Sequence, residues 1–108
     1  MEYIFVLTEL EPNANLGNEN ILSRIHDQLN RYGRMGPDHD RYKVAIDLIQ
    51  GPPAPAKTLD EYIKPLIESI AKSNLFWIDD EQVDEITIKR VKNPRLDKFK
   101  IRVQIRKT

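Results

Sequence analysis

The sequence predicts an α+β domain in the order β-α-β-α-β-β, two helices packed on a small mixed sheet. Three observations predict it. Short β-branched and aromatic runs alternate with two stretches of helical apolar spacing. Two strand patterns close the chain with no helix between them. And 108 residues, 40% of them hydrophobic, supply one modest core. A single domain over residues 1–108 follows.

Tyr3–Thr8 (YIFVLT) reads as a largely buried strand. Pro12 and the Asn/Gly-rich segment Asn13–Asn20 make a loop. Ile21, Leu22, Ile25 and Leu29 then recur at helical spacing, with Gly33 suited to close the helix and His26 off the apolar stripe, facing solvent. Gly33–Asp40 is a polar turn. Its Asp38-His39-Asp40 run looks like a metal cluster only superficially, because adjacent side chains do not converge on one ion. Tyr42–Ile49 alternates Tyr42, Val44, Ile46 and Leu48 on one face, a second strand. Gly51–Lys57 (GPPAPAK) is a proline-rich connector that cannot continue it.

The second helix is expected from about residue 58 to 72, about 21 Å long. Thr58 reads as its N-cap, with Glu61 completing a capping box. Ile63, Leu66, Ile67 and Ile70 form its buried stripe. Pro65 lies beyond the first turn, so a break or kink is expected around Glu61–Lys64. Ser73-Asn74 end the helix, and Leu75–Ile78 are expected to pack inward. Asp84–Val91 gives a third strand through Ile86 and Ile88, and Lys92–Asp97 turns. Lys98–Arg106 is the cleanest alternation in the chain, Phe99, Ile101, Val103 and Ile105 facing the core.

The formal net charge is zero, but it is unevenly spread. Residues 89–108 carry nine Lys/Arg against the single Asp97, and the preceding residues carry the compensating acid. A C-terminal hairpin so charged suits an anionic partner, or is an edge strand kept soluble by its cations. The absence of cysteine excludes disulfides and thiolate metal sites. No apolar run approaches a membrane span, and no secretory signal is present, so no membrane association and a cytoplasmic location are expected.

One stretch carries a more specific pattern. Leu59-Asp60-Glu61, then Lys64, then Phe76-Trp77-Ile78-Asp79-Asp80-Glu81-Gln82-Val83 resembles the RusA family of Holliday-junction endodeoxyribonucleases. That family's signature is Asp-Leu-Asp-Asn, a lysine four residues after the second Asp, an aromatic turn and Asp-Asp-x-Gln-Val. The resemblance implies a divalent metal (Mg²⁺, with Mn²⁺ as the alternative) held by Asp60 and Asp80 and assisted by Lys64. It implies a homodimer that nicks branched DNA by metal-assisted phosphodiester hydrolysis. Lys57, Lys64, Lys98, Lys100 and Arg102 are the expected phosphate contacts. The eight residues 73–80 span at most about 26–29 Å, long enough to carry Asp79 and Asp80 back to the helix start beside Asp60.

The chain departs from the signature at two places. Thr58 stands where the family has its first aspartate and Glu61 where it has asparagine; Glu61 offers a replacement charge one residue along. The family's arginine-rich connector is reduced to Lys57. These departures leave open a catalytically impaired relative that binds branched DNA or a protein partner without cleavage, and a plain interaction module with no nucleic acid involved.

Overall fold

Period-two burial on three strands and a 3.6-residue stripe on two helices build the fold that the pattern predicts. The computed structural model describes residues 2–10, 19–33, 36–51, 58–96 and 98–108, the side chain of Glu9 excepted. The elements are β1 (Glu2–Leu10), α1 (Glu19–Asn30), β2 (Tyr42–Gln50), α2 (Asp60–Ser73), a 3₁₀ turn (Asp80–Gln82), β3 (Val83–Lys92) and β4 (Phe99–Lys107). The loop expected around Pro12, the connector 52–57 with Lys57, and Asp97 lie outside the described residues. Glu19 and Asn20, read as loop, already belong to α1.

The sheet runs β1-β4-β2-β3, with β4 antiparallel to both neighbours and β3 parallel to β2. The last two strands are therefore not a hairpin, because β2 lies between them. Their burial explains the order. In β4, Phe99, Ile101, Val103 and Ile105 are buried, as a central strand requires. β3 carries charges on most positions and leaves Ile86 38% exposed, as only an edge strand tolerates. The helices cover the face formed by Tyr3, Phe5, Leu7, Val44, Ile46, Leu48 and the four β4 residues, all buried.

α2 differs from expectation at its start. Leu59, not Thr58, takes the N-cap position, and no side chain caps it. Thr58 contributes its carbonyl oxygen, which accepts from the Glu61 amide at 3.2 Å. The buried stripe is Tyr62, Leu66, Ile67 and Ile70, with Ile63 half-buried. Nor is the helix broken at Pro65: it runs uninterrupted from Asp60 to Ser73. The bond that proline removes falls in the first turns, where its i−4 partner, Glu61, is an exposed residue whose carbonyl water can serve. Asn74, left-handed at φ 57°, ends the helix with its amide bonded to the Ala71 carbonyl.

Gly51 fixes how the β3–β4 turn meets the end of β2. A Cβ on it would fall 1.8 Å from the Leu96 carbonyl oxygen and 3.1 Å from that of Asn93. Gly51→Ala therefore has to push the turn away and strain the 2.8 Å bond from the Asn93 amide to the Gln50 carbonyl. A loss of about 1–3 kcal/mol is expected from such overpacking, read as a fall in thermal midpoint; an unchanged midpoint contradicts it.

Candidate functional site

Strand and helix directions place the motif residues at two separate ends of the sheet. Tyr62, in the first turn of α2, stacks edge-on against Phe99, the first residue of β4, at 5.9 Å. Asp60 and Glu61 therefore stand, exposed, at the end where β2 and β3 finish and β4 begins. Lys64 is exposed one turn along, and no ion pair joins it to Asp60 among the described residues. α2 then runs the length of the sheet.

At the opposite end the chain is tied down by the very residues of the Trp-x-Asp-Asp-x-Gln-Val run. Trp77 is buried and forms a parallel bridge with Asp38, whose amide donates to the Phe76 carbonyl at 2.9 Å. The Trp77 indole N–H donates to Asp80 Oδ1 at 3.0 Å. Asp79 caps the 3₁₀ turn, accepting from the Glu81 amide at 3.0 Å, in a reciprocal box with Gln82. Gln82 is itself buried and makes four bonds. Its Oε1 accepts from the amides of Ile78 (2.8 Å) and Asp79 (3.0 Å), and its Nε2 donates to the carbonyls of Asp38 and Asp40, both at 2.8 Å. Val83 then enters β3 opposite Tyr42, the first residue of β2. Of the segment expected to pack inward, Leu75, Phe76 and Trp77 do, whereas Ile78 is 60% exposed.

Asp60 and Asp80 are thus separated by roughly 20–25 Å, about the length of α2 and of β4. The segment after Ser73 does not turn back along the helix, because Phe76 and Trp77 are held against Tyr3 and Tyr42 instead. Among the described residues no group of three or more His, Asp or Glu is arranged to hold a metal ion. Asp38 and Asp40 do come together, but around the Lys107 ammonium, which donates to them at 3.1 and 2.6 Å. Those bonds hold the lysine well above its ordinary pKa. Nothing in the spacing of residues 69 positions apart signals that pair.

The charge asymmetry is partly settled within the chain. Arg102 (3.5 Å) and Lys89 (3.8 Å) flank Asp47 on the sheet's open face, and Arg106 pairs with Glu2, lowering that carboxyl's pKa through its hydrogen bond. With Lys107, that engages Lys89, Arg102, Arg106 and Lys107 internally. Lys92, Arg95 and Lys100 have no ion-pair partner among the described residues. They gather with Arg90 and Lys98 at the end where β3 finishes and β4 starts, the end that also carries the N-terminus of α2. Lys98, Lys100 and Arg102 were read from the sequence as phosphate contacts; Lys92 and Arg95 belong beside the first two, and only their place in the basic tail pointed to them.

No family model matches the chain, and no curated protein matches it. Among solved structures it is similar to an empty FtsZ dimer from M. jannaschii, at 10% identity and a TM-score of 0.45, covering 100% of this chain and 26% of that one. It is also similar to E. coli HypE, a hydrogenase maturation protein, at 15% identity and a TM-score of 0.43, covering 96% of this chain and 31% of that one. The chain spans less than a third of either protein.

Proposed function

We propose that the chain binds nucleic acid, with branched DNA as the preferred form, through the basic end of its sheet and without cutting it as a single protomer. The observation that supports this reading is the sorting of the C-terminal cations. Four are spent on internal carboxylates, while Lys92, Arg95 and Lys100 lie at one end of the sheet with no ion-pair partner among the described residues, although Asp60 and Glu61 stand at that end too. Cations so placed neutralise phosphates and release counterions, which makes affinity fall steeply with salt. The positive end of the α2 dipole lies at the same end of the sheet.

The hydrolytic reading rests on the motif alone: Mg²⁺ or Mn²⁺ on Asp60 and Asp80, with Lys64 steadying developing charge. It requires the two carboxylates to come from different protomers, given their separation within one chain.

A synthetic four-way junction tests both. Wild-type protein is expected to shift the junction. The triple variant Lys92→Ala, Arg95→Ala, Lys100→Ala should flatten the slope of log affinity against log salt by roughly 2–3. Junction binding that is absent, or indifferent to salt, overturns the proposal. Paired nicks in Mg²⁺ or Mn²⁺ that vanish in Asp80→Asn select the hydrolytic reading instead.

A further inference from the structure

The two edges of the sheet are finished differently. The outer edge of β1 is covered by side chains of α1 and the turn after it. Gln28 accepts from the Val6 amide at 2.8 Å and donates to its carbonyl, Arg24 donates to the Thr8 carbonyl, and the Tyr32 hydroxyl bonds both backbone groups of Ile4. No comparable row of side-chain bonds runs along the outer edge of β3 from Asp84 to Lys89 among the described residues. β3 is a ten-residue strand, long for an edge left to solvent, and such an edge is a template for another strand. Ile86 and Val91 are 38% and 37% exposed on it.

The sequence of this strand says which partner fits. Read outward from Thr87, Ile86-Glu85-Asp84-Val83 on one side is answered by Ile88-Lys89-Arg90-Val91 on the other. Apolar residues stand at matching steps, and acid is answered by base. A strand patterned this way is complementary to itself when run antiparallel. We propose that two copies of the chain pair through β3 about a two-fold axis at Thr87, joining two four-stranded sheets into one of eight strands.

In that register Thr87 faces its own counterpart, Ile86 faces Ile88 and Glu85 faces Lys89. The sides of the sheet agree as well. Ile86 and Ile88 lie in register with Val44 and Ile46, on the helix-covered face. Glu85, Thr87 and Lys89 lie in register with Lys43, Ala45 and Asp47, on the open face. Within one chain Glu85 is 3.7 Å from Lys43 and Lys89 is 3.8 Å from Asp47. The junction therefore extends a row of alternating sign: Lys43, Glu85, then Lys89 and Asp47 of the second copy. Sliding the pairing by one residue sets Ile86 against Lys89 and joins the helix-covered face of one copy to the open face of the other. Sliding it by two sets Ile86 against Arg90, or Asp84 against Ile88. The irregularity between Val83 and Glu85 ends the matched run at Glu85, and Asp84, beyond it, is paired with Arg41 of its own chain. The same axis lays the Asp60 end of one copy alongside the Asp80 end of the other.

This inference does not rest on nucleic-acid binding, and its test reads mass instead. Light scattering of the wild-type chain is expected to give a concentration-dependent dimer. Glu85→Lys and Lys89→Glu each set like charges opposite each other twice per interface, and should weaken self-association about tenfold or more. Mixing the two variants restores opposite charges at both sites, so an equimolar mixture should form a heterodimer. Thr87→Cys, in a chain with no other cysteine, should form a disulfide-linked dimer on mild oxidation. Glu85→Cys, some four residues from its own counterpart, should not self-link, being beyond disulfide reach of about 7 Å. A wild-type mass of one chain at every concentration overturns the proposal. So does a dimer indifferent to both charge reversals, or cross-linking at Glu85→Cys and not at Thr87→Cys. Should a reversal unfold the chain, the cysteine pair decides alone.

Discussion

Replacing Gln82 by alanine is expected to lower folding stability by on the order of 3–4 kcal/mol. Four backbone groups depend on this side chain: two amides, of Ile78 and Asp79, and two carbonyls, of Asp38 and Asp40. Ile78, Asp79 and Asp40 are exposed residues, so each group left unpaired costs nearer the lower end of the usual 1–3 kcal/mol. The sum is still a large part of the 5–15 kcal/mol of an ordinary domain. For a domain of this size the thermal midpoint should fall by roughly 15–25 °C. Gln82→Glu sharpens the test. It keeps the acceptor for the two amides, but sets a carboxylate oxygen against two carbonyl oxygens, so it should be nearly as damaging. A fall below about 1 kcal/mol for Gln82→Ala would mean that the turn re-forms its bonds with solvent.

The position of Gln82 explains how much of this molecule could be read from its residues. The fold was legible, because the alternation of Tyr42, Val44, Ile46 and Leu48, and that of Phe99 to Ile105, are period-two patterns that only a sheet face satisfies. The two helices followed from the same kind of argument. Strand order was less accessible. That β4 is central and β3 an edge lies in their burial, and two strands adjacent in sequence suggest a hairpin unless that difference is weighed. Asp60 and Asp80 stay apart within one protomer for a different reason. Asp79, Asp80 and Gln82 carry a spacing that suits chemistry, yet here the same spacing builds a capped 3₁₀ turn bonded to the residues before β2. A short motif of acids and an amide is consistent with either use. What decides is the path of residues 75–79, which depends on where the aromatic rings of Phe76 and Trp77 find cover. That is a tertiary fact, fixed by Tyr3 and Tyr42 far away in the chain.

Tyr42→Ala is expected to cost about 4 kcal/mol, the usual scale for truncating a fully buried aromatic ring. Tyr42 is 0% exposed and is the residue on which this corner closes. Its ring meets Phe76 edge-on at 6.0 Å and Trp77 at 5.8 Å, so it carries the exit of α2 onto the sheet. Its hydroxyl donates to Asp38 Oδ1 at 2.6 Å, and the other oxygen of that carboxylate holds Lys107. Tyr42→Phe keeps the packing and removes the hydroxyl alone. It should cost about 1–1.5 kcal/mol, since Asp38 Oδ1 retains the Asp40 amide as a donor. The difference between the two variants therefore measures the ring. Asp38 also links this residue to Gln82, which bonds the Asp38 carbonyl while Tyr42 bonds its side chain. Losing either partner loosens the segment that the other needs. The double variant Tyr42→Phe, Gln82→Ala should therefore lose less than the sum of the two single losses, by about 0.5 kcal/mol or more. Denaturant unfolding of the four proteins in that cycle reads the coupling directly. Strict additivity would show that the Tyr42 hydroxyl and the Gln82 side chain act on Asp38 independently, its place being kept by contacts such as those to Lys107 and Trp77.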